Sequence, residues 1–265
     1  MKPNLYVKDT AFQHAKTSSW YNESKKFNWV REYDNSFLIF TDENIFESDS
    51  FYNKKKYAWL LEPPSINPEI YEYIKINYNK FDYVFTFDKE LLSISDKFIL
   101  IPFGGCWIFE NNRKIYDKTK LVSCIMSEKR KTVGHLLRHE VKTKFKEVEY
   151  FGGCNFIENK ITGLADYAFS IVIENCKKDF YFTEKIIDCF MTGTIPVYWG
   201  CPSIKNFFDI DGILTFDTLD ELFQLYETLT LDLYHKKIDS IKTNFMLSQK
   251  YLIADDLIFN FLNGN

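Results

Sequence analysis

The feature that most constrains the fold is the stretch 169–202, in which a helical segment separates two short apolar runs. The runs Ala168–Ile173 (AFSIVI) and Ile195–Trp199 (IPVYW) have the length and the β-branched and aromatic content of buried strands. Between them, the segment TEKIIDCFM begins at Thr183, a residue type that caps helices, and Gly193 follows its end. A strand, a helix and a second strand in this order predict a parallel α/β sheet.

The same alternation of strands and helices runs through the first half of the chain. Apolar runs rich in β-branched and aromatic residues predict strands, and amphipathic stretches between them predict helices. One helix has proline at its first position, where proline is favoured. The strands are expected at Leu5–Val7, Phe37–Thr41, Tyr57–Leu61, Tyr83–Phe87 and Phe98–Ile101, and the helices at Pro68–Tyr78 and Lys89–Ile94.

The second half repeats the pattern, and its tail is predicted to be helical. Besides the two strands described above, three more are expected in this half. The tail Asp232–Leu262 predicts one or two long helices. The further strands are expected at Leu121–Ser127, Val148–Phe151 and Gly212–Phe216, and the helices at Thr132–Lys146, Thr183–Met191 and Leu219–Leu229.

Two domains are predicted, separated by a polar linker. A length of 265 residues is enough for one large domain or for two of ordinary size. The polar segment Glu110–Thr119 separates two α/β patterns that are each sufficient for a domain. We therefore expect an N-terminal domain over residues 1–112 and a C-terminal domain over residues 113–265.

Composition and cysteine spacing indicate a soluble protein of a reducing compartment. Hydrophobic residues make up 46% of the chain, which can supply a core, and charged residues make up 26%. The sequence has no apolar run of about 18 residues or more, and its first residues lack the apolar core of a signal peptide. We expect no transmembrane segment and a cytoplasmic location. Six scattered cysteines without a C-x-x-C pair are expected to be reduced thiols: Cys106, Cys124, Cys154, Cys176, Cys189 and Cys201.

The charge distribution leaves several kinds of anionic ligand open. The net charge is −4, yet the stretch Lys114–Lys146 contains ten Lys and Arg against three Asp and Glu. Such a stretch suits nucleic acid, an anionic membrane or a small polyanion such as a nucleoside diphosphate, and it can equally be the solvated face of a helix. An acidic chain without a nucleic-acid-binding motif argues against nucleic acid.

Polar side chains follow the strand Ala168–Ile173, at the sheet edge where open parallel sheets bind ligands. Glu174 can accept hydrogen bonds from paired hydroxyls and Asn175 can both donate and accept, so the two together suit a ribose or a hexose. The alternative is that both residues only cap the loop. Tyr181 can stack on a base or hydrogen-bond a phosphate, or it can belong to the core.

The first turn of the helix at Thr183 carries a cation where the helix dipole disfavours one. Thr183 is the expected N-cap, and Glu184 can bind a hydroxyl or complement the positive end of the dipole. A bound pyrophosphate would explain the position of Lys185, because its ammonium and the backbone N–H groups would both contact the phosphates.

This stretch resembles the donor-binding motif of the α1,3/1,4-fucosyltransferases, glycosyltransferase family 10. The family motif contains an E-N pair, a tyrosine and a T-E-K triplet, which contact the guanine nucleotide and fucose. The upstream element K-x-x-x-L-x-x-Y-x-F is also present, as Lys160, Leu164, Tyr167 and Phe169. The resemblance implies that GDP-fucose is the donor and that it is bound by Glu174, Asn175, Tyr181, Glu184 and Lys185.

The resemblance also implies a fold and a phosphate-binding arginine. Family members have the GT-B architecture, an α/β fold in which two Rossmann-like domains face each other across a cleft and a C-terminal helical tail crosses back onto the first domain. The first helix of the C-terminal domain supplies an arginine to the donor phosphates, and Arg130 and Arg138 are the candidates. We prefer Arg138, because it lies at a similar distance ahead of the turn after Phe151, and arginine can bind phosphate oxygens in a bidentate manner.

Sugar transfer with inversion needs a general base for the acceptor hydroxyl, and Glu62 is the expected one. The segment Trp59–Ser65 (WLLEPPS) places this carboxylate after a strand of the opposite domain. It resembles the family's E-S-P-S segment, whose glutamate is assigned as the base, with Pro63 where serine is common. The alternative is a loop-end carboxylate that pairs with a lysine.

The leading hypothesis is an inverting fucosyltransferase of glycan biosynthesis that transfers L-fucose from GDP-fucose to a glycan. Basic side chains would stabilise the leaving diphosphate in place of a metal ion, so we expect no cofactor, no metal site and no nucleic-acid partner. One alternative is a related GT-B glycosyltransferase with another nucleotide sugar or acceptor. Two others are a nucleic-acid-binding protein that uses the basic stretch and a binding protein that has lost turnover.

Overall fold

The computed structural model describes residues 2–10, 12, 15–20, 22–32, 38–51, 54–153 and 155–264. Two predictions fall outside these residues: the first residue of a strand at Phe37 and the reduced thiol of Cys154. The other five cysteines have free thiols, as the sequence predicts, and all but Cys176 are buried.

The first half of the chain forms a six-stranded parallel sheet, as its alternating pattern predicts. The strands follow the spatial order β2-β1-β3-β4-β5-β6. Strand β2 is not in the sequence prediction, because only three residues with two apolar side chains pair with the neighbouring strand. The strands are β1 (Asn4–Lys8), β2 (Asn28–Val30), β3 (Leu38–Thr41), β4 (Lys56–Trp59), β5 (Tyr83–Thr86) and β6 (Phe98–Leu100).

The second half forms a separate five-stranded parallel sheet in the order β11-β10-β9-β7-β8. The two apolar runs of the opening motif lie side by side at its centre, in register from Phe169 opposite Ile195 to Ile173 opposite Trp199. Both strands are buried along their whole length, which explains their uninterrupted apolar sequence. The strands are β7 (Lys120–Ile125), β8 (Glu149–Phe151), β9 (Tyr167–Ile173), β10 (Ile195–Trp199) and β11 (Leu214–Thr215).

The helices between the strands begin and end within two residues of the predicted positions. Side-chain caps explain the accuracy of their starts: Thr132, Thr183 and Thr218 each accept a hydrogen bond from a backbone N–H of the first turn. The helices are α1 (Pro68–Asn77), α2 (Lys89–Leu92), α3 (Val133–Lys144), α4 (Glu184–Phe190) and α5 (Leu219–Thr228).

The predicted tail of one or two long helices is wrong, because the tail is divided into three short ones. They are α6 (Leu231–Lys236), α7 (Ile238–Ser248) and α8 (Ala254–Leu262). The break between α6 and α7 at Lys237 carries no proline or glycine, so the sequence gives little warning of it. An extended Ile253 precedes α8 and redirects the chain.

Helix α8 leaves the second sheet and packs against the first one. Ala254 and Ile258 are fully buried in the core formed by Val7, Trp59 and other residues of the first sheet. The buried carboxylate of Asp255 accepts hydrogen bonds from Ser18 and from the indole N–H of Trp29. The return of the tail to the first half agrees with the GT-B architecture expected from the sequence.

We call the first sheet with α1, α2 and α8 the first lobe, and the second sheet with α3 to α7 the second lobe. Loops at the carboxyl ends of their strands contact each other. Lys178, after β9, forms an ion pair with Asp88, after β5, and Lys89 lies 3.2 Å from Asp179. The ligand-binding edges of the two parallel sheets therefore face each other across a cleft.

Candidate functional site

The start of α4 is fastened to the end of β9 by Glu174. One carboxylate oxygen accepts the backbone N–H of Thr183 at 2.9 Å, and the other accepts its hydroxyl at 2.8 Å. The ammonium of Lys185 lies 3.3 Å from the second oxygen. Glu174 is fully buried, so its carboxylate fixes the strand end to the helix start. Binding of a sugar hydroxyl by Glu174 stays a prediction.

A second ion-pair network continues along α4. The ammonium of Lys160 lies 3.2 Å from Glu184 Oε1 and 2.8 Å from Asp188 Oδ2. Burial by itself would raise the pKa of Glu184, but the charges of Lys160 and Lys185 lower it to about 2. Glu184 is therefore a carboxylate at neutral pH. Lys160, which the sequence supplied only as part of a motif, is its main counter-ion.

Arg138 lies in α3 with its guanidinium against the end of β9. Its Nε donates to the carbonyl of Ile173 at 2.9 Å, and its Nη2 donates to Asn175 Oδ1 at 3.0 Å. The side chain is buried, and this burial lowers the pKa of Arg138. Arg130, the other candidate, is exposed and contacts His139. The structure thus brings Arg138 together with Glu174 and Asn175, while the phosphate contact itself stays a prediction.

The first turn of α3 packs closely on the loop after β9. Gly134 donates its N–H to the carbonyl of Asn175 at 3.1 Å, and a Cβ on Gly134 would lie 1.8 Å from the carbonyl oxygen of Glu174. His135 follows it and forms a capping box with Thr132. Burial, together with the nearby cations led by Arg138, lowers the pKa of His135 to about 4, so this imidazole is neutral at pH 7.

Glu62, the predicted base, extends from the loop after β4 toward the second lobe. Burial raises the pKa of this half-buried carboxyl, the charge of Lys185 lowers it, and that of Glu184 raises it again. These two residues belong to α4, so Glu62 and the predicted donor residues face each other across the cleft. Lys129 also lowers the pKa of Glu62 and that of His135. The sequence offered Lys129 only as one member of a basic stretch.

Tyr181 lies at the contact between the lobes. The side chain is buried, and its ring centroid is 4.8 Å from that of Phe87, which follows β5. Burial, with the charges of Glu174 and Glu62, raises the pKa of Tyr181 well above its usual value. The tyrosine therefore lies within range of carboxylates from both lobes. Its stacking on a guanine base stays a prediction.

Asp42 is a buried acid beside Glu62 that the sequence interpretation missed. It is the first residue after β3, and its Oδ1 accepts the backbone N–H of Leu61 at 2.9 Å. Burial raises the pKa of Asp42 to about 7, and the charge of Glu62 adds to this. The usable signal was its position, since an acid directly after a predicted strand lies at the ligand-binding edge.

The described part of the chain contains no evident cluster of metal-ligating side chains. Among the residues described, no group of three or more His, Cys, Asp or Glu is arranged to hold a metal ion. The sequence contains one Asp-x-Asp segment, Asp209-Ile210-Asp211, although no metal site of this kind is expected. Here Asp209 caps a turn by accepting the N–H of Asp211 at 3.0 Å, while its backbone is bonded to Asn244.

Charges of both signs thus converge where the lobes meet. Lys185, Lys129 and Arg138 supply cations, and Glu62 supplies a carboxylate from the opposite side. Cations suit a diphosphate, and a carboxylate with a raised pKa suits proton abstraction near neutral pH.

None of the described helices is sufficiently long and apolar to cross a membrane.

Part of the sequence is similar to known fucosyltransferases. Residues 115–238 match the family model described as glycosyltransferase family 10 (fucosyltransferase) C-term. A segment of 67 residues is 39% identical to α-(1,3)-fucosyltransferase FucT of Helicobacter pylori, covering 23% of this chain and 14% of that protein. The matches span between 14% and 40% of the length of the three curated relatives compared.

Solved structures show the same fold over nearly the whole chain. A crystal structure of an α1,3-fucosyltransferase with GDP superposes with a TM-score of 0.59 at 17% identity, covering 98% of this chain and 89% of the other. A second, with GDP-fucose, gives a TM-score of 0.56 at 16% identity and covers 95% and 90%. The two parallel-sheet lobes therefore form the GT-B fold expected from the sequence. The match of residues 115–238 supports membership in glycosyltransferase family 10, and the solved structures show that the chain has the corresponding fold.

Proposed function

We propose that this protein is an inverting fucosyltransferase that transfers L-fucose from GDP-fucose to a hydroxyl of a glycan. The family, the Helicobacter pylori relative and the neighbours with GDP and GDP-fucose support the donor and the reaction. The single observation that carries the proposal is the position of Glu62, which faces Lys185 and Glu184 across the cleft.

Glu62 is the general base in this proposal. Burial raises the pKa of Glu62 toward neutral pH, and a base whose pKa lies nearer the working pH removes a proton more effectively. The hydroxyl oxygen of the acceptor forms a bond to the anomeric carbon of fucose while its proton passes to Glu62. The bond from that carbon to the diphosphate breaks on the opposite face, which inverts the anomeric configuration.

The second lobe holds the donor and stabilises the leaving group. Negative charge develops on GDP as the bond between fucose and the diphosphate breaks, and fixed cations near the phosphates lower the energy of that state. We assign this role to Lys185 and Arg138. Asn175, Tyr181 and Glu184 complete the donor site in the proposal, and Glu174 contributes by holding Thr183 and Lys185 in place.

We also propose that each lobe binds a different substrate. Residues 1–112 would form the acceptor side and residues 113–265 the nucleotide-sugar side, with the boundary in the linker between β6 and β7. Helix α8 is the exception to this sequence division, because it packs on the first sheet.

Donor profiling and one substitution test the proposal together. The protein is incubated with GDP-fucose or GDP-mannose and a panel of glycan acceptors, and released GDP is measured. We expect acceptor-dependent release from GDP-fucose only. Glu62→Gln should lower turnover by about 10²- to 10⁴-fold, the usual contribution of a general base, while the GDP-fucose Kd stays within about threefold.

The exposed Glu69→Gln, at the start of α1, is the matched control and should retain full turnover. Release from GDP-mannose instead would assign a different donor. Near-normal turnover by Glu62→Gln would remove Glu62 as the base. Salt-sensitive oligonucleotide binding without any nucleotide-sugar binding would overturn the enzymatic proposal as a whole.

A further inference from the structure

We propose that Asp42 and Tyr71 are positioning residues that hold the backbone of Glu62 from both sides and so aim its carboxylate at the acceptor hydroxyl. This inference rests on the proposed role of Glu62 as the base. Neither residue belongs to the donor motif, and both lie in the first lobe.

Asp42 holds the N-terminal side of Glu62. Its Oδ1 accepts two consecutive backbone N–H groups, that of Leu61 at 2.9 Å and that of Glu62 at 3.4 Å. These N–H groups follow the last residue of β4, where the ladder with the neighbouring strands ends. The carboxyl group therefore replaces the missing sheet partner and fixes the path of the chain into Glu62.

Tyr71 holds the C-terminal side. Its hydroxyl donates to the backbone carbonyl of Glu62 at 2.8 Å, and its buried ring is locked in the core between α1 and the sheet. Pro63 and Pro64 follow Glu62 and restrict the backbone further. With both peptide groups bonded to buried side chains, the remaining freedom of Glu62 lies in its own side-chain torsions.

The backbone of Asp42 shows that this arrangement is imposed by its surroundings. Asp42 has φ of +40°, in the left-handed region that residues other than glycine rarely occupy. Such a conformation persists where neighbouring contacts determine it, and these residues cluster at functional sites. Here it turns the chain immediately after β3 so that the side chain reaches back to the end of β4.

The consequence for catalysis is specific. The base must lie within hydrogen-bonding reach of the acceptor hydroxyl, and a misplacement of about 1 Å can cost a hundredfold in rate. The donor site is held by the second lobe, through Glu174 and Arg138. Loss of the contacts to Glu62 should therefore lower kcat and leave donor affinity unchanged.

The experiment compares Asp42→Ala, Asp42→Asn and Tyr71→Phe in the complete chain, with kcat and GDP-fucose Kd measured for each. Asp42→Ala removes the oxygen that accepts the two backbone N–H groups, and it should lower kcat about tenfold or more. Asp42→Asn keeps an oxygen in place and should restore kcat to within about threefold of the parent. Tyr71→Phe removes one hydroxyl and should lower kcat by about three- to tenfold.

The matched controls come from the same two segments. Asp49→Asn removes a carboxylate that pairs with Lys80, and Tyr73→Phe removes a hydroxyl that contacts the same lysine at 3.2 Å, so both should retain parental kcat. Tyr71→Phe keeps the proposal testable if Asp42→Ala fails to fold, because it deletes a single oxygen.

The outcomes separate this inference from the function on which it rests. Full turnover by Glu62→Gln would refute the base itself. An inactive Glu62→Gln together with fully active Asp42→Ala and Tyr71→Phe would refute only the positioning role. Equal losses of kcat and GDP-fucose affinity in these variants would also overturn it, since they would indicate general damage to the fold.

Discussion

At the scale of single residues, Lys185 is the cation whose loss should affect donor binding most. Its ammonium lies 3.3 Å from Glu174, 3.6 Å from Glu184 and 2.9 Å from the Thr183 hydroxyl, yet the side chain remains 23% exposed. It is therefore held in place and still accessible to an anion. In the proposed complex it would bond to a phosphate oxygen of GDP.

Lys185→Ala should raise the Kd for GDP by about 10- to 100-fold, the range expected for one hydrogen bond between charged groups. Isothermal titration with GDP measures this directly. Lys242→Ala, an exposed lysine on α7 paired with Asp239, is the control and should leave the Kd unchanged. Unchanged GDP affinity in Lys185→Ala would refute the phosphate contact.

The residues of the site differ in how far the sequence could reveal them. Thr183 was recognised as a cap because capping depends on neighbours in sequence, and the structure confirms it. The bonds of Glu174 to Thr183 could not be predicted in the same way, since they join segments nine residues apart across a loop. The hydrogen bond between Asp42 and Leu61 is even harder to predict from the sequence, because the two residues follow different strands.

At the scale of elements, the contact of α3 with the loop after β9 leaves no room for a side chain at Gly134. A Cβ there would lie 1.8 Å from the carbonyl oxygen of Glu174, which is backbone and cannot rotate away. Any larger residue must move the start of α3, and with it the capping box of Thr132 and His135. The separation of two predicted donor-site segments would then change.

Gly134→Ala should lower the free energy of unfolding by about 1–3 kcal/mol, as overpacking of a close contact does, and it should weaken GDP binding. Chemical denaturation and titration with GDP measure the two effects. Val133→Ala is the matched control, since Val133 begins the same helix and is 68% exposed. A Gly134→Ala protein with parental stability and affinity would show that the α3 contact is not needed.

Elements were predictable where their signals are local. The centre of the second sheet followed from two apolar runs, and β10 begins and ends at the predicted residues. Strand β2 has only three residues and owes its pairing to β1, a partner supplied by the tertiary fold. The prediction for the tail failed because it did not foresee two helix breaks. The break before α8 reflects packing against two lobes, which periodicity does not contain, and the break at Lys237 lies between two helices of the second lobe.

At the scale of the whole molecule, α8 links the end of the chain to its beginning. The second lobe is covalently joined to the first through the linker after β6, and α8 adds a second connection by returning to the first core. Phe259 stacks on Phe27 with ring centroids 5.3 Å apart, and Asp256 accepts a hydrogen bond from Ser24. The stability of the first lobe should therefore depend on residues from the far end of the sequence.

Ile258→Ala tests this dependence. Ile258 is fully buried among side chains of the first sheet, and truncating a buried isoleucine costs about 2–5 kcal/mol of unfolding free energy. Ile76→Ala on α1, where the isoleucine is 79% exposed, is the control and should change stability little. Denaturant unfolding followed by tryptophan fluorescence measures the stability of each variant, and two of the five indoles, those of Trp29 and Trp59, lie in the same core as Ile258. Equal stability of the two variants would mean that the first lobe holds together without the returning helix.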